Sequence, residues 1–109
     1  MEQIINRIEL KRVVDALQEN IRPKKIYLFG SYAYGQPDKG SDIDLCIITD
    51  DNGKRKIEVL RQARRALVHI VSIPIDLLVY RDEEFKDRAR LSTTLEHKIM
   101  NEGIMIYEQ

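Results

Sequence analysis

The chain has one cysteine, Cys46, no net charge, and no apolar run approaching the length of a membrane span. A lone cysteine has no intrachain partner, so a disulfide framework is excluded and a reducing compartment fits. Eighteen basic residues cancel eighteen acidic ones, so no global field draws the molecule to nucleic acid or to an anionic membrane, and charge-driven binding must be local. A membrane helix needs about 20 apolar residues, and residues 1–10 carry Glu2, Arg7 and Glu9, unlike a signal peptide. These absences predict a cytoplasmic protein without a membrane partner. Internal repeats and low-complexity tracts are also missing. What is present is 109 residues, 43% of them hydrophobic, which suits a single domain over 1–109 with one core.

Over residues 2–20, Ile4, Ile5, Ile8, Val13, Val14 and Leu17 recur at helical spacing among charges, predicting an amphipathic helix closed by Arg22-Pro23. Ile26-Tyr27-Leu28-Phe29 reads as a short strand halted by Gly30. Residues 31–41 turn to Gly, Ser, Tyr, Pro and Asp, a loop or short turn-rich segment. Residues 42–49 read as a second strand, apolar on both faces after its first three residues and therefore central and covered on each side. A turn at 50–53 leads to a second amphipathic helix over 54–71, marked by Ile57, Leu60, Ala63, Leu67, Val68 and Val71 and stopped by Pro74. Residues 75–80 make a third strand, whereas 81–90 are polar and without a clear period. Thr93-x-x-Glu96 is a capping box opening a helix that carries Leu95, Ile99 and Met100. Gly103 closes that helix, and 104–107 form a fourth short strand. The pattern predicts an α/β domain whose mixed sheet of three or four strands is packed with helices.

The short link between the first two strands suits an antiparallel pair, and the helix between the second and third suits a right-handed parallel crossover. Three strand ends then share one edge of the sheet. They are the end of the first, with Gly30-Ser31, and the starts of the second and third, with Asp42, Asp44 and Asp76. Asp42 and Asp44, two apart on a strand, face the same way at roughly 6 to 7 Å between Cα atoms and can reach one cation. Asp44 lies between Ile43 and Leu45, and Asp76 between Ile75 and Leu77, where an uncompensated charge is costly. Mg²⁺ suits such a site: it takes oxygen ligands, few of them from protein, and completes its shell with water and substrate phosphates. Two such ions, roughly 3.5 to 4 Å apart, would serve the attacking oxygen and the leaving phosphate. Gly30 permits close backbone approach to a phosphate, and Ser31 with the N–H groups after it offers hydrogen bonds.

The run Gly30-Ser31-Tyr32-Ala33-Tyr34-Gly35, followed by Ser41-Asp42-Ile43-Asp44-Leu45 and Ile75-Asp76-Leu77, resembles the polymerase-beta-like nucleotidyltransferase superfamily. The short length and the ending Glu102-Gly103-Ile104-Met105-Ile106-Tyr107 look like the minimal nucleotidyltransferases (MNT), antitoxins of pairs whose other member is a HEPN-domain protein. The resemblance implies the nucleotidyltransferase fold. It implies Asp42, Asp44 and Asp76 as catalytic metal ligands, with Asp76 helping to deprotonate an acceptor hydroxyl, and Gly30, Ser31 and Ser41 at the nucleotide. It also implies transfer of AMP from ATP to a hydroxyl on the HEPN partner, two Mg²⁺ ions and a hetero-oligomer. The alternative is a non-catalytic antitoxin that neutralises its partner by binding alone. One departure stands out: relatives carry arginine within the loop, where Tyr32 and Tyr34 stand here, so phosphate binding is weaker or another basic residue substitutes.

Plainer readings stand beside these. Asp42 and Asp44 before a strand can be local hydrogen-bonding caps, but Asp76 recurs at the corresponding position of the next strand. Gly30-Ser31 lacks the Gly-Lys-Ser/Thr of a P-loop, and residues 38–44 misplace the glycine of an EF-hand. Lys54, Arg55, Lys56, Arg61, Arg64 and Arg65 against Glu58 make the second helix locally basic. A solvated face is its ordinary reading, and contact with RNA or an acidic partner the functional one. Neither His69 nor His97 has another His or Cys at metal-ligand spacing.

Overall fold

The computed structural model describes residues 7–35, 42–50 and 53–109. Within them the chain runs α1 (Arg7–Ile21), β1 (Lys25–Phe29), α2 (Ser31–Tyr34), β2 (Ile43–Thr49), α3 (Lys56–Leu67), β3 (Ile75–Arg81), α4 (Asp82–Ala89), α5 (Leu95–Glu102) and β4 (Ile104–Glu108). The sheet has the order β3-β2-β1-β4. β1 runs antiparallel to β2 and β4, and β2 parallel to β3, the pairing that the link lengths predict. Among the described residues no helix is long and apolar enough to cross a membrane.

Because successive side chains on a strand alternate faces, the central strands β1 and β2 divide the molecule into two layers. Ile26, Leu28, Ile43, Leu45, Ile47 and Leu77 point to one side and pack on Val13, Leu17 and Ile21 of α1 and Val59, Ala63 and Leu67 of α3. Tyr27, Phe29, Cys46 and Ile48 point to the other, where Phe85 of α4 and Ile99 of α5 cover them. The Phe85 ring lies 5.8 Å from Tyr27 and 5.4 Å from Tyr80, centroid to centroid. Each such large apolar side chain contributes about 1.5–3 kcal/mol by leaving water. Cys46 is fully buried, and burial pushes its thiol well above its ordinary pKa, so it behaves as a small apolar residue.

Three local readings need correction. Residues 81–90, which showed no clear period, contain α4. Its face to the sheet is only Phe85 and Ala89, four apart, and the remaining residues are charged. Its signal is electrostatic: Asp82, Glu83 and Glu84 in the first turn and Lys86 and Arg88 in the last match the helix dipole. The N-cap of α5 is Thr94, not Thr93; its Oγ1 accepts from the His97 N–H at 3.1 Å. Glu96 does not close a capping box but turns inward and accepts a hydrogen bond from the Tyr80 hydroxyl at 2.5 Å. α3 is also shorter than 54–71. Val68, Ile70, Val71 and Ile73 are β-branched, and Pro74 disfavours a helical residue before it, so the chain leaves the helix while Val71 still packs on the core. The predicted start of α1 at residue 2 lies outside the described residues.

Candidate active site

The two ladders determine what meets at the sheet edge. Phe29 is paired with Asp44, and Asp44 with Asp76, so the end of β1 and the starts of β2 and β3 form one row across three strands. Residues in register share a face, and this face is the one covered by α4 and α5. The predicted meeting of Gly30-Ser31, Asp44 and Asp76 is therefore present, with Asp42 two residues before Asp44. Ser41 lies outside the described residues.

Gly30 sits against Asp44. Its φ of 76° and ψ of −159° belong to a region that only glycine enters without strain. A Cβ built there would stand 2.0 Å from Asp44 Oδ2. Two independent reasons thus require glycine, and the second is the closeness of backbone and carboxylate. The Gly30 carbonyl accepts from the N–H groups of Ala33 and Tyr34 at 3.0 and 2.9 Å. This folds Ser31–Tyr34 into one helical turn, α2, where the sequence allowed a loop or turn. Gly35, at φ 96°, ends the turn and donates its N–H to the Ser31 carbonyl at 3.1 Å.

Asp42 and Asp44 are half-buried, and Asp76 is exposed. Burial first, then the charges of Asp76 and Asp42 and a hydrogen bond with Asp76, all push the Asp44 carboxyl above its ordinary pKa. Every one of these influences disfavours the second negative charge, and a divalent cation would reverse them. Among the described residues no three His, Cys, Asp or Glu side chains already converge as a ligand set. The interacting pair Asp44 and Asp76 is the nucleus of the site, and its all-oxygen donors fit a hard cation that fills its shell with water and phosphate.

Two side chains that the sequence reading did not assign lie beside this row. Tyr34 packs toward the same layer as Phe29 and Ile99, and Lys98 of α5 holds its Nζ 4.6 Å from the Tyr34 ring centroid. The departure at Tyr34 was visible in the loop motif, but the approach of α5, more than sixty residues later, was not. His97 is taken up structurally, with Nδ1 2.8 Å from the Ala89 carbonyl, and His69 is exposed. A groove of about 520 Å³ lies on the opposite layer, lined by Arg64, Leu67, Val68, Ile73 and Pro74. Its lining holds no carboxylate.

Comparison with known proteins identifies the family and the fold. Residues 10–104 match the nucleotidyltransferase domain family. A protein of Methanocaldococcus jannaschii named "Putative protein adenylyltransferase MJ0604" is 30% identical over 100 residues, covering 90% of this chain and 94% of that protein. A crystal structure of a toxin-antitoxin with AMP-PNP is similar with a TM-score of 0.58 at 23% identity, over 92% of this chain and 73% of that one. A structure of a tri-AMPylated Shewanella oneidensis HEPN toxin in complex with an MNT antitoxin is similar with a TM-score of 0.53 at 20% identity, over 96% and 74%. At those identities the two structures demonstrate a shared fold.

Proposed function

Because the chain belongs to the nucleotidyltransferase domain family, we propose that it moves AMP from ATP to a hydroxyl of a HEPN-domain protein, and so acts as the antitoxin of that partner in the cytoplasm. The observation that carries this reading is the row Gly30, Asp44 and Asp76, in which a glycine backbone and two interacting carboxylates meet at one sheet edge. A relative named as a protein adenylyltransferase, and neighbours that are MNT–HEPN complexes, support the donor and the partner.

In this reading the acceptor oxygen attacks the α-phosphorus, a new P–O bond forms, the bond to the β-phosphate oxygen breaks, and pyrophosphate leaves. Gly30 and Ser31 hold the triphosphate, because the glycine lets phosphate oxygens come close to the backbone and the serine hydroxyl donates to them. Ser41, next to Asp42 in the sequence, is assigned to the nucleotide with them. Asp76, exposed at the start of β3, accepts the proton of the acceptor hydroxyl. Asp44, held by Gly30 on one side and Asp76 on the other, orients the row. Asp42, Asp44 and Asp76 would also hold Mg²⁺, two ions in this reading, which when bound neutralise phosphate charge and raise the acidity of the acceptor.

The surface supports a hetero-oligomer. Leu91, Leu95, Met100, Ile104 and Met105, on α5, β4 and the link before them, are 39–64% exposed, apolar side chains that a partner would cover. The basic face of α3 is the corresponding candidate for RNA. The partner reading is tested by co-expressing the chain with a HEPN-domain protein and measuring that protein's intact mass. A mass gain of one or more AMP units, mapped to a hydroxyl side chain, is expected. An unmodified partner that is nevertheless neutralised would move the function to binding alone.

A further inference from the structure

A nucleoside triphosphate is polyanionic, and the face that would receive it already carries Asp42, Asp44 and Asp76. Binding there calls for positive charge placed near the phosphates. The turn that follows Gly30 is Ser31-Tyr32-Ala33-Tyr34 and supplies none. A cation does reach this turn from elsewhere in the fold. Lys98 projects from α5, and its ammonium sits 4.6 Å from the centroid of the Tyr34 ring, within cation–π range. Tyr34 closes a turn of only four residues whose first residue follows Gly30, so its backbone lies about 6 Å along the helix axis from that of Gly30. The Tyr34 hydroxyl is buried, and the Gly30 backbone N–H, Glu102 and Asp44 all act on it. The ring therefore borders the carboxylate row. Lys98 itself is exposed. Among the described residues no ion pair involves Lys98, which leaves its charge available to a ligand.

From this geometry we infer that Lys98 binds the triphosphate, its ammonium meeting the β- and γ-phosphate oxygens while the Tyr34 ring holds its stem in place. The inference rests on the nucleotidyl-transfer reading and adds to it a binding residue from the far end of the chain. A lysine ammonium is a flexible point charge suited to phosphate, and the aromatic platform limits its freedom before the ligand arrives.

The test measures binding without turnover, using the α,β-methylene analogue of ATP and, separately, AMP, each with Mg²⁺. The proteins are the unaltered chain, Lys98→Met and Lys98→Arg. Lys98→Met should weaken the triphosphate analogue roughly tenfold, the usual cost of one charge-assisted contact, and leave AMP unchanged. Lys98→Arg, which keeps the charge, should retain most of the affinity. Equal weakening of both ligands would overturn the inference, because a structural role does not count phosphates. So would an unchanged affinity for the analogue while the unaltered chain binds it. If the unaltered chain bound neither ligand, the nucleotidyl-transfer reading would fall, and the Lys98 inference with it. Lys98 is exposed, so the variants should melt with the unaltered protein.

Discussion

Alanine at Gly30 and at Gly35 should separate strain from chemistry. Both glycines have positive φ, 76° and 96°, so alanine is strained at each. At Gly35 the strain is that of the left-handed region, about 1–2 kcal/mol. At Gly30, where ψ is −159°, it is about 1–3 kcal/mol. For a chain of 109 residues, unfolding entropy of about 2.1 cal/mol/K per residue converts 2 kcal/mol into a fall of roughly 9 °C in melting midpoint. The two sites differ in their surroundings. Among the described residues a Cβ at Gly35 meets nothing within 4 Å, whereas one at Gly30 meets Asp44 Oδ2 at 2.0 Å. The carboxylate is the free end of a side chain, so it can rotate away for about 1 kcal/mol, but it then leaves the row. Misplacing a reacting group by about 1 Å can cost a hundredfold in rate. Thermal denaturation should therefore show both variants destabilised. α-labelled ATP transfer, measured well below both midpoints, should show about a hundredfold loss in Gly30→Ala and near-normal transfer in Gly35→Ala. Equal rates in the two variants would refute the claim that Gly30 serves the site through Asp44.

Other consequences concern the layer that carries the site. Tyr80→Phe removes the donor to buried Glu96 and should cost about 1–3 kcal/mol in chemical denaturation, with the loss shrinking if Glu96→Gln is made in the same protein. The acids of α4 set an acid limit. The carboxyl of Asp82 is held below its ordinary pKa by its hydrogen bonds with Lys24 and Lys86. That of Glu84, though burial opposes it, is lowered by Lys56 and the Arg81 N–H. Their folded pKa values lie below the unfolded ones, near 4, so their stabilisation is present above that pH and is lost as the pH falls through the folded values. Melting midpoints should decline below pH 4, and Asp82→Asn should flatten the decline; an unchanged slope would contradict this account.

Much of this arrangement was legible from the sequence because it depends on local rules. The link between Phe29 and the second strand is short and broken by Gly35, Pro37 and Gly40, which offers no helix for a parallel crossover, whereas the amphipathic run through Ile57, Leu60, Ala63 and Leu67 is long enough for one. Those two facts alone bring Gly30, Asp44 and Asp76 to one edge. The register that makes Asp44 the direct neighbour of both Phe29 and Asp76 was not legible, since strand offset depends on packing across the sheet. α4 escaped for a related reason: two buried residues, Phe85 and Ala89, give almost no periodic signal, and its order comes from ion pairs and from the Tyr27 and Tyr80 rings against Phe85. The Thr93 capping box failed because Glu96 is recruited by Tyr80, a tertiary partner that no local motif reveals. Lys98 on Tyr34 is likewise a contact between distant segments.

The most direct test of the central claim is AMP transfer by Asp44→Asn and Asp76→Asn beside the unaltered protein, with the HEPN-domain partner, α-labelled ATP and Mg²⁺. The substitutions keep side-chain shape and remove charge from the row. The account predicts that label passes to the partner with the unaltered protein and falls at least a hundredfold in each variant, while both still fold and bind the partner. Transfer at the unaltered rate in either variant would contradict the assignment of this sheet edge as the active site.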